Sequence, residues 1–77
     1  RQVVVQLEES NAVKEYASAY AQMKPKEAAK IFEEMTDNLE LVSRILMTMN
    51  AQQRGDILGQ MDAEVAARLT KIMDPES

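Results

Sequence analysis

The sequence contains no cysteine and no histidine. Disulfides, thiolate nucleophiles, imidazole bases, Cys/His zinc sites and haem ligation through either residue are therefore excluded. The lack of cysteine does not by itself identify a compartment. No apolar run approaches the roughly 18 residues of a membrane span. Length is also limited: 77 residues make one small domain. A globule of this size buries only about 60–65% of the surface its unfolded chain exposes, which leaves no room for a deep enzyme cleft with a supporting shell. Nine Lys and Arg against thirteen Asp and Glu give a net charge of −4, the wrong sign for a binder of phosphate backbones. A chain that opens at Arg1 is expected to be a piece of a longer protein, with any anchor or signal upstream.

What the sequence does have is internal repetition. Methionines stand at Met23, Met35, Met49, Met61 and Met73, at spacings of 12, 14, 12 and 12. Each is preceded by the same pattern: two mostly small residues, a gap, two larger ones, a gap of two, then Met. The five units are Tyr16, Ala17, Ala19, Tyr20 and Met23; Ala28, Ala29, Ile31, Phe32 and Met35; Val42, Ser43, Ile45, Leu46 and Met49; Arg54, Gly55, Ile57, Leu58 and Met61; and Ala66, Ala67, Leu69, Thr70 and Met73. Offsets of three, four and seven belong to a helix and not to a strand. Each unit is thus a short amphipathic helix, about ten residues or 15 Å long. Such a helix is unstable alone, so the units must stack. Small residues at mid-helix would let neighbouring backbones approach, and Gly55 is expected at a close crossing.

The breaks between units read as helix caps. Pro25 suits a first helical position. Asp37 with Glu40, and Asn50 with Gln53, fit capping boxes, and Asp62 can cap the next helix. Asp74-Pro75-Glu76 reads as one further start. Helices are predicted near 10–22, 25–35, 38–48, 51–60 and 63–73. Ile31, Phe32, Ile45, Leu46, Ile57, Leu58 and Leu69 are predicted to line the core. Residues 1–10, with Val3, Val4, Val5 and Leu7, are read as the end of an upstream stalk or a flexible tail, and 11–77 as the repeat domain.

Candidate chemistry is sparse. A magnesium-sensing reading needs acids that converge on folding, and Glu33, Glu34, Asp37 and Glu40 are its candidates. They lack the alternating ligands and Gly turn of a calcium loop, and solvated helix faces explain them as well. Lysines and arginines are scattered and not interleaved with aromatics, which argues against nucleic acid. Arg54 occupies a position that is Ala28, Val42 or Ala66 in other units. Its stem could cover apolar surface while the guanidinium reaches water or Asp56, or it could face a partner. Met47 lies off the template and is the methionine expected to be exposed. Tyr16 and Tyr20 would seal the first unit or dock a partner, and Ile72 and Met73 lie at the other end. Aromatic, Arg and Met side chains are the types enriched at interfaces, so Tyr16, Tyr20, Met47, Arg54, Ile72 and Met73 form the candidate protein-interaction set. No catalytic, cofactor or metal residue is assigned, and the repeats alone are expected to be monomeric or weakly associating.

The run from Tyr20-Ala21-Gln22-Met23-Lys24-Pro25 through Ile31-Phe32, Ile45-Leu46, Ile57-Leu58 and Met61-Asp62 to Met73-Asp74-Pro75 resembles the intracellular N-terminal domain family of MgtE magnesium transporters. It is most similar to the version in flagellar proteins of the MotE/YlxF type, with related helix stacks in the flagellar switch protein FliG. The resemblance implies an all-α, right-handed superhelix of about five short helices used for protein–protein contact. In its flagellar form it implies a membrane-anchored, extracytoplasmic protein, dimeric through a coiled-coil stalk. That protein would serve as a chaperone or assembly factor for a stator or other motor component. In its transporter form it implies a cytoplasmic magnesium-sensing domain whose acidic surface is shared with a following domain.

Overall fold

The computed structural model describes residues 2–74, with side chains from Asn11 onward. Among these the chain is all helical: α1 (Gln2–Ala21), α2 (Pro25–Glu33), α3 (Leu39–Thr48), α4 (Ala51–Leu58) and α5 (Ala63–Met73), with a single 3-10 turn, Thr36–Asn38, before α3. That turn accounts for the irregular 14-residue step between Met35 and Met49. The all-α expectation holds. Helix α1 begins well before the predicted residue 10, and α2 and α4 each stop two residues short of their predicted ends. The side chains of Val3–Leu7 and the segment 75–77 lie outside the described residues.

The caps follow the sequence in three places. Pro25 opens α2. Asn50 and Gln53 form a full capping box on α4, the Asn50 Oδ1 accepting from Gln53 N at 2.8 Å and the Gln53 Oε1 from Asn50 N at 3.3 Å. Asp62 Oδ2 accepts from Glu64 N at the start of α5. The Asp37–Glu40 box does not form. Asp37 is taken into the 3-10 turn, and Asn38, one residue later, caps α3 by accepting from Leu41 N.

With links this short, consecutive helices turn sharply, and the main packing runs between alternate helices: α3 lies against both α1 and α5, and α2 against α4. The result is two rows, α1–α3–α5 and α2–α4, an arrangement compatible with a superhelical stack. The core between them comprises Val13, Ala17, Ala28, Ala29, Phe32, Val42, Ile45, Leu46, Met49, Ile57, Met61 and Leu69. Tyr20 joins it from α1, its ring 4.8 Å from that of Phe32 at a 56° tilt, a geometry favoured by aromatic quadrupoles.

Burial along the template shows how the rows are built. At about 100° per residue the first, fifth and eighth positions of a unit share one face, while the second and fourth lie on opposite flanks of it. The second position is buried in the first three units (Ala17, Ala29, Ser43) and exposed in the last two (Gly55, Ala67). The fourth is exposed in the first two units (Ala19, Ile31) and buried in the last three (Ile45, Ile57, Leu69). The pattern follows the alternate-helix packing: among the described residues the second position is covered where a helix stands two units later, and the fourth where one stands two units earlier. Ser43 is tolerated at a buried position because its hydroxyl donates to Glu40 O within its own helix at 2.7 Å.

Two expectations are corrected by the same rule. Ile31 is 37% exposed and not in the core; among the described residues no helix stands two units before α2. Gly55 is not at a close crossing: a Cβ built there meets nothing within 4 Å, and among the described residues no helix stands two units after α4. Leu58 is only partly buried, whereas Leu69, near the chain's end, is fully buried.

Candidate functional site

Of the six residues in the candidate interaction set, three are open to solvent. Tyr16, Met47 and Ile72 are exposed, on α1, α3 and α5 respectively. They fall at the first, sixth and seventh template positions, so they diverge around their helices. Tyr20 and Met73 are half-buried and packed against the core.

Arg54 has a structural task that sequence reasoning did not identify. Its Nη1 donates to Leu46 O at 3.2 Å and to Met49 O at 3.0 Å. The end of α3 leaves carbonyls without intrahelical partners. A guanidinium from the first turn of α4 satisfies two of the acceptors around that end and places a positive charge at the negative end of the helix dipole. Met49 itself continues from α3 in extended backbone, and Arg54 closes that corner. The cue in the sequence was an Arg at a template position otherwise apolar, four residues past a capping Asn.

The four acids do not act together. Glu33 is half-buried and turned toward α5, where its Oε2 accepts from Asp62 N at 2.6 Å. Glu34, Asp37 and Glu40 are exposed at the end of α2, in the 3-10 turn and at the start of α3. Among the described residues no group of three or more acidic side chains is placed to hold a metal ion. The convergence that a magnesium-sensing site within the domain would need is not formed: Glu33 is recruited to a tertiary cap, and the other three are exposed.

An open groove of about 350 Å³ lies between the end of α1 and the α3–α4 corner. Lys14, Ser18, Gln22, Thr48 and Gln53 line it over Ala17 and Met49. It holds no carboxylate. Several of its polar groups are already engaged: Thr48 Oγ1 donates to Arg44 O, Gln22 Nε2 lies 3.5 Å from Ser18 Oγ, and Gln53 Oε1 accepts from Asn50 N. The groove is a surface feature built by helix packing.

No described helix is long and apolar enough to cross a membrane. No curated protein and no solved structure matches the chain. The model of the MgtE intracellular N domain matches residues 2–77, covering the whole helical array from the start of α1. The chain therefore belongs to the MgtE intracellular N domain family.

Proposed function

We propose that the chain is a non-catalytic regulatory domain of the intracellular MgtE type, working by contact with another protein surface in a magnesium-linked manner. The family match across residues 2–77 carries this reading. The distribution of acids supports its form. Glu34, Asp37 and Glu40 are exposed on one corner without forming a three-ligand group. Magnesium keeps several of its waters and is bound through one or two carboxylates, so a second acidic surface would complete the coordination. Two such surfaces repel each other without the ion, and the ion bridges them when present. In this reading the domain stands on the cytoplasmic side of the membrane, in place of the extracytoplasmic position implied by the flagellar resemblance.

Amide chemical shifts followed during addition of magnesium chloride, against sodium chloride at matched ionic strength, test the proposal. Magnesium-specific shifts should be weak, confined to residues 34–40, and lost in the double variant Glu34→Gln, Asp37→Asn. Identical responses to the two salts would reject it.

A second reading has one observation in its favour. A flagellar protein of the MotE/YlxF type would join the domain to a membrane-anchored coiled-coil stalk and present it to a stator or motor component. The 20 residues of α1 run as one helix from Gln2 to Ala21, a length suited to a stalk that continues into the repeats. Heptads after a membrane span in the preceding sequence would select this reading, and a second intracellular domain after the repeats would select the first. In either case Tyr16, Ile31, Met47 and Ile72 are the large apolar side chains exposed to a partner among the described residues.

A further inference from the structure

The groove between the end of α1 and the α3–α4 corner is polar in one sense only. The chain carries thirteen Asp and Glu, and none of them lines it. Its one charged group is Lys14, which is exposed and forms no ion pair among the described residues. Glu15, the next residue, lies about 100° further round α1 and is not part of the lining.

The amides add donors to that charge. Gln53 Oε1 is held by Asn50 N in the capping box of α4, so the end of the amide left over is Nε2, which has no hydrogen-bond partner among the described residues. On α1, Gln22 Nε2 reaches Ser18 Oγ only at 3.5 Å, beyond the usual range of such bonds, and its second N–H is unused. Beneath these groups lie the apolar side chains of Ala17 and Met49, both buried.

We infer that the groove takes a glutamate side chain from a segment of a partner protein, its carboxylate on Lys14 and the free amide N–H groups and its methylenes over Ala17 and Met49. Charge selects this occupant. One ammonium with neutral donors balances one carboxylate. A phosphate group, at about −1.5 to −2, would stay under-neutralised on a chain of net charge −4. A basic side chain would meet Lys14 and find no acid, and a purely apolar one would cover the donors without pairing them. At about 350 Å³ the groove falls within the roughly 300–1,000 Å³ of small-ligand sites, enough for one side chain and its flanking backbone. The inference rests on the reading of the domain as a protein-contact module, but it needs no magnesium, and none of Glu34, Asp37 and Glu40 lines the groove.

Amide chemical shifts of the 77-residue chain, in buffer with a chelator and no magnesium, test this during addition of N-acetyl-triglutamyl amide. N-acetyl-triglutaminyl amide at matched ionic strength is the control. The glutamyl peptide should shift Lys14, Ser18, Gln22 and the Gln53 side-chain amide saturably, with Kd on the order of 1 mM, and the glutaminyl peptide should not. Lys14→Gln, at an exposed site, should weaken binding about fivefold, the upper range for a solvated ion pair. Lys26→Gln, at an exposed site on α2, should leave it unchanged. Equal responses to the two peptides, or an equal loss in Lys26→Gln, would overturn the proposal. So would sodium acetate shifting the same residues as strongly at the same carboxylate concentration, which would reduce the groove to a general anion site. No response to the glutamyl peptide would overturn it as well, while leaving the magnesium test at residues 34–40 untouched.

Discussion

The carboxylate of Glu33, at the last residue of α2, accepts a 2.6 Å hydrogen bond from the backbone N–H of Asp62, the residue that caps α5. The bond spans 29 positions of sequence and ties two helices that belong to different rows. It also sets a negative charge beside the positive end of the α5 dipole. An acid that looked available for an ion is, in the fold, part of the joint that positions the last helix.

Replacing Glu33 by Ala should therefore loosen α5 before the rest of the domain. The expected loss is about 1–2 kcal/mol, the range for a partly exposed bond to a charged acceptor. Urea unfolding would measure the loss, and hydrogen exchange at the Asp62 amide should accelerate more than at amides in α3. Glu33→Gln keeps an acceptor without the charge and should fall between the two.

Core truncations should separate positions that look alike in sequence. Ile45→Ala, at a 1% exposed site, should cost about 2–5 kcal/mol, a large part of the roughly 4–11 kcal/mol expected for a domain this size. Ile31→Ala occupies the same template position but is partly solvated, and should stay within about 1 kcal/mol of wild type. Equal losses in urea unfolding would contradict the row assignment.

Substitution of Gly55 should help. It lies within α4 with nothing inside 4 Å of a built Cβ, so Gly55→Ala should stabilise by about 0.5–1 kcal/mol through the lower entropy of the unfolded chain. Gly59→Ala should gain less, because its Cβ would approach Gly55 O at 3.2 Å. Thermal unfolding of the two variants side by side would show the order.

Arg54→Ala should cost about 1–3 kcal/mol, from two carbonyls left without their charged donor. Arg54→Lys should recover only part of this, since an ammonium cannot reproduce the guanidinium fork. A loss confined to partner binding, with no change in unfolding midpoint, would show that the α3 cap carries no weight.

Local interactions were readable in advance. The Asn50–Gln53 box, the Asp62 cap and Pro25 at a helix start each involve groups no more than three residues apart, so residue type and spacing suffice to specify them. The same holds for helix period and for the repeat, which located Phe32, Ile45, Leu46, Ile57 and Leu69 in the core. The predicted Asp37 cap does not form because Asn38 offers a competing acceptor one residue later, and a short 3-10 turn decides between them.

Sequence by itself determined that this protein is a set of short amphipathic helices with a small-then-large template, because periodicity and capping act within one or two turns. Tertiary structure alone decided which flank of each helix is covered. Ile31 and Ile45 share a template position, as do Ala29 and Gly55, yet one of each pair is buried and the other exposed. The difference lies in whether another helix stands two units before or after. It likewise decided the roles of Glu33 and Arg54, whose partners come from other helices and whose side chains alone would have served equally well as ligands or docking charges.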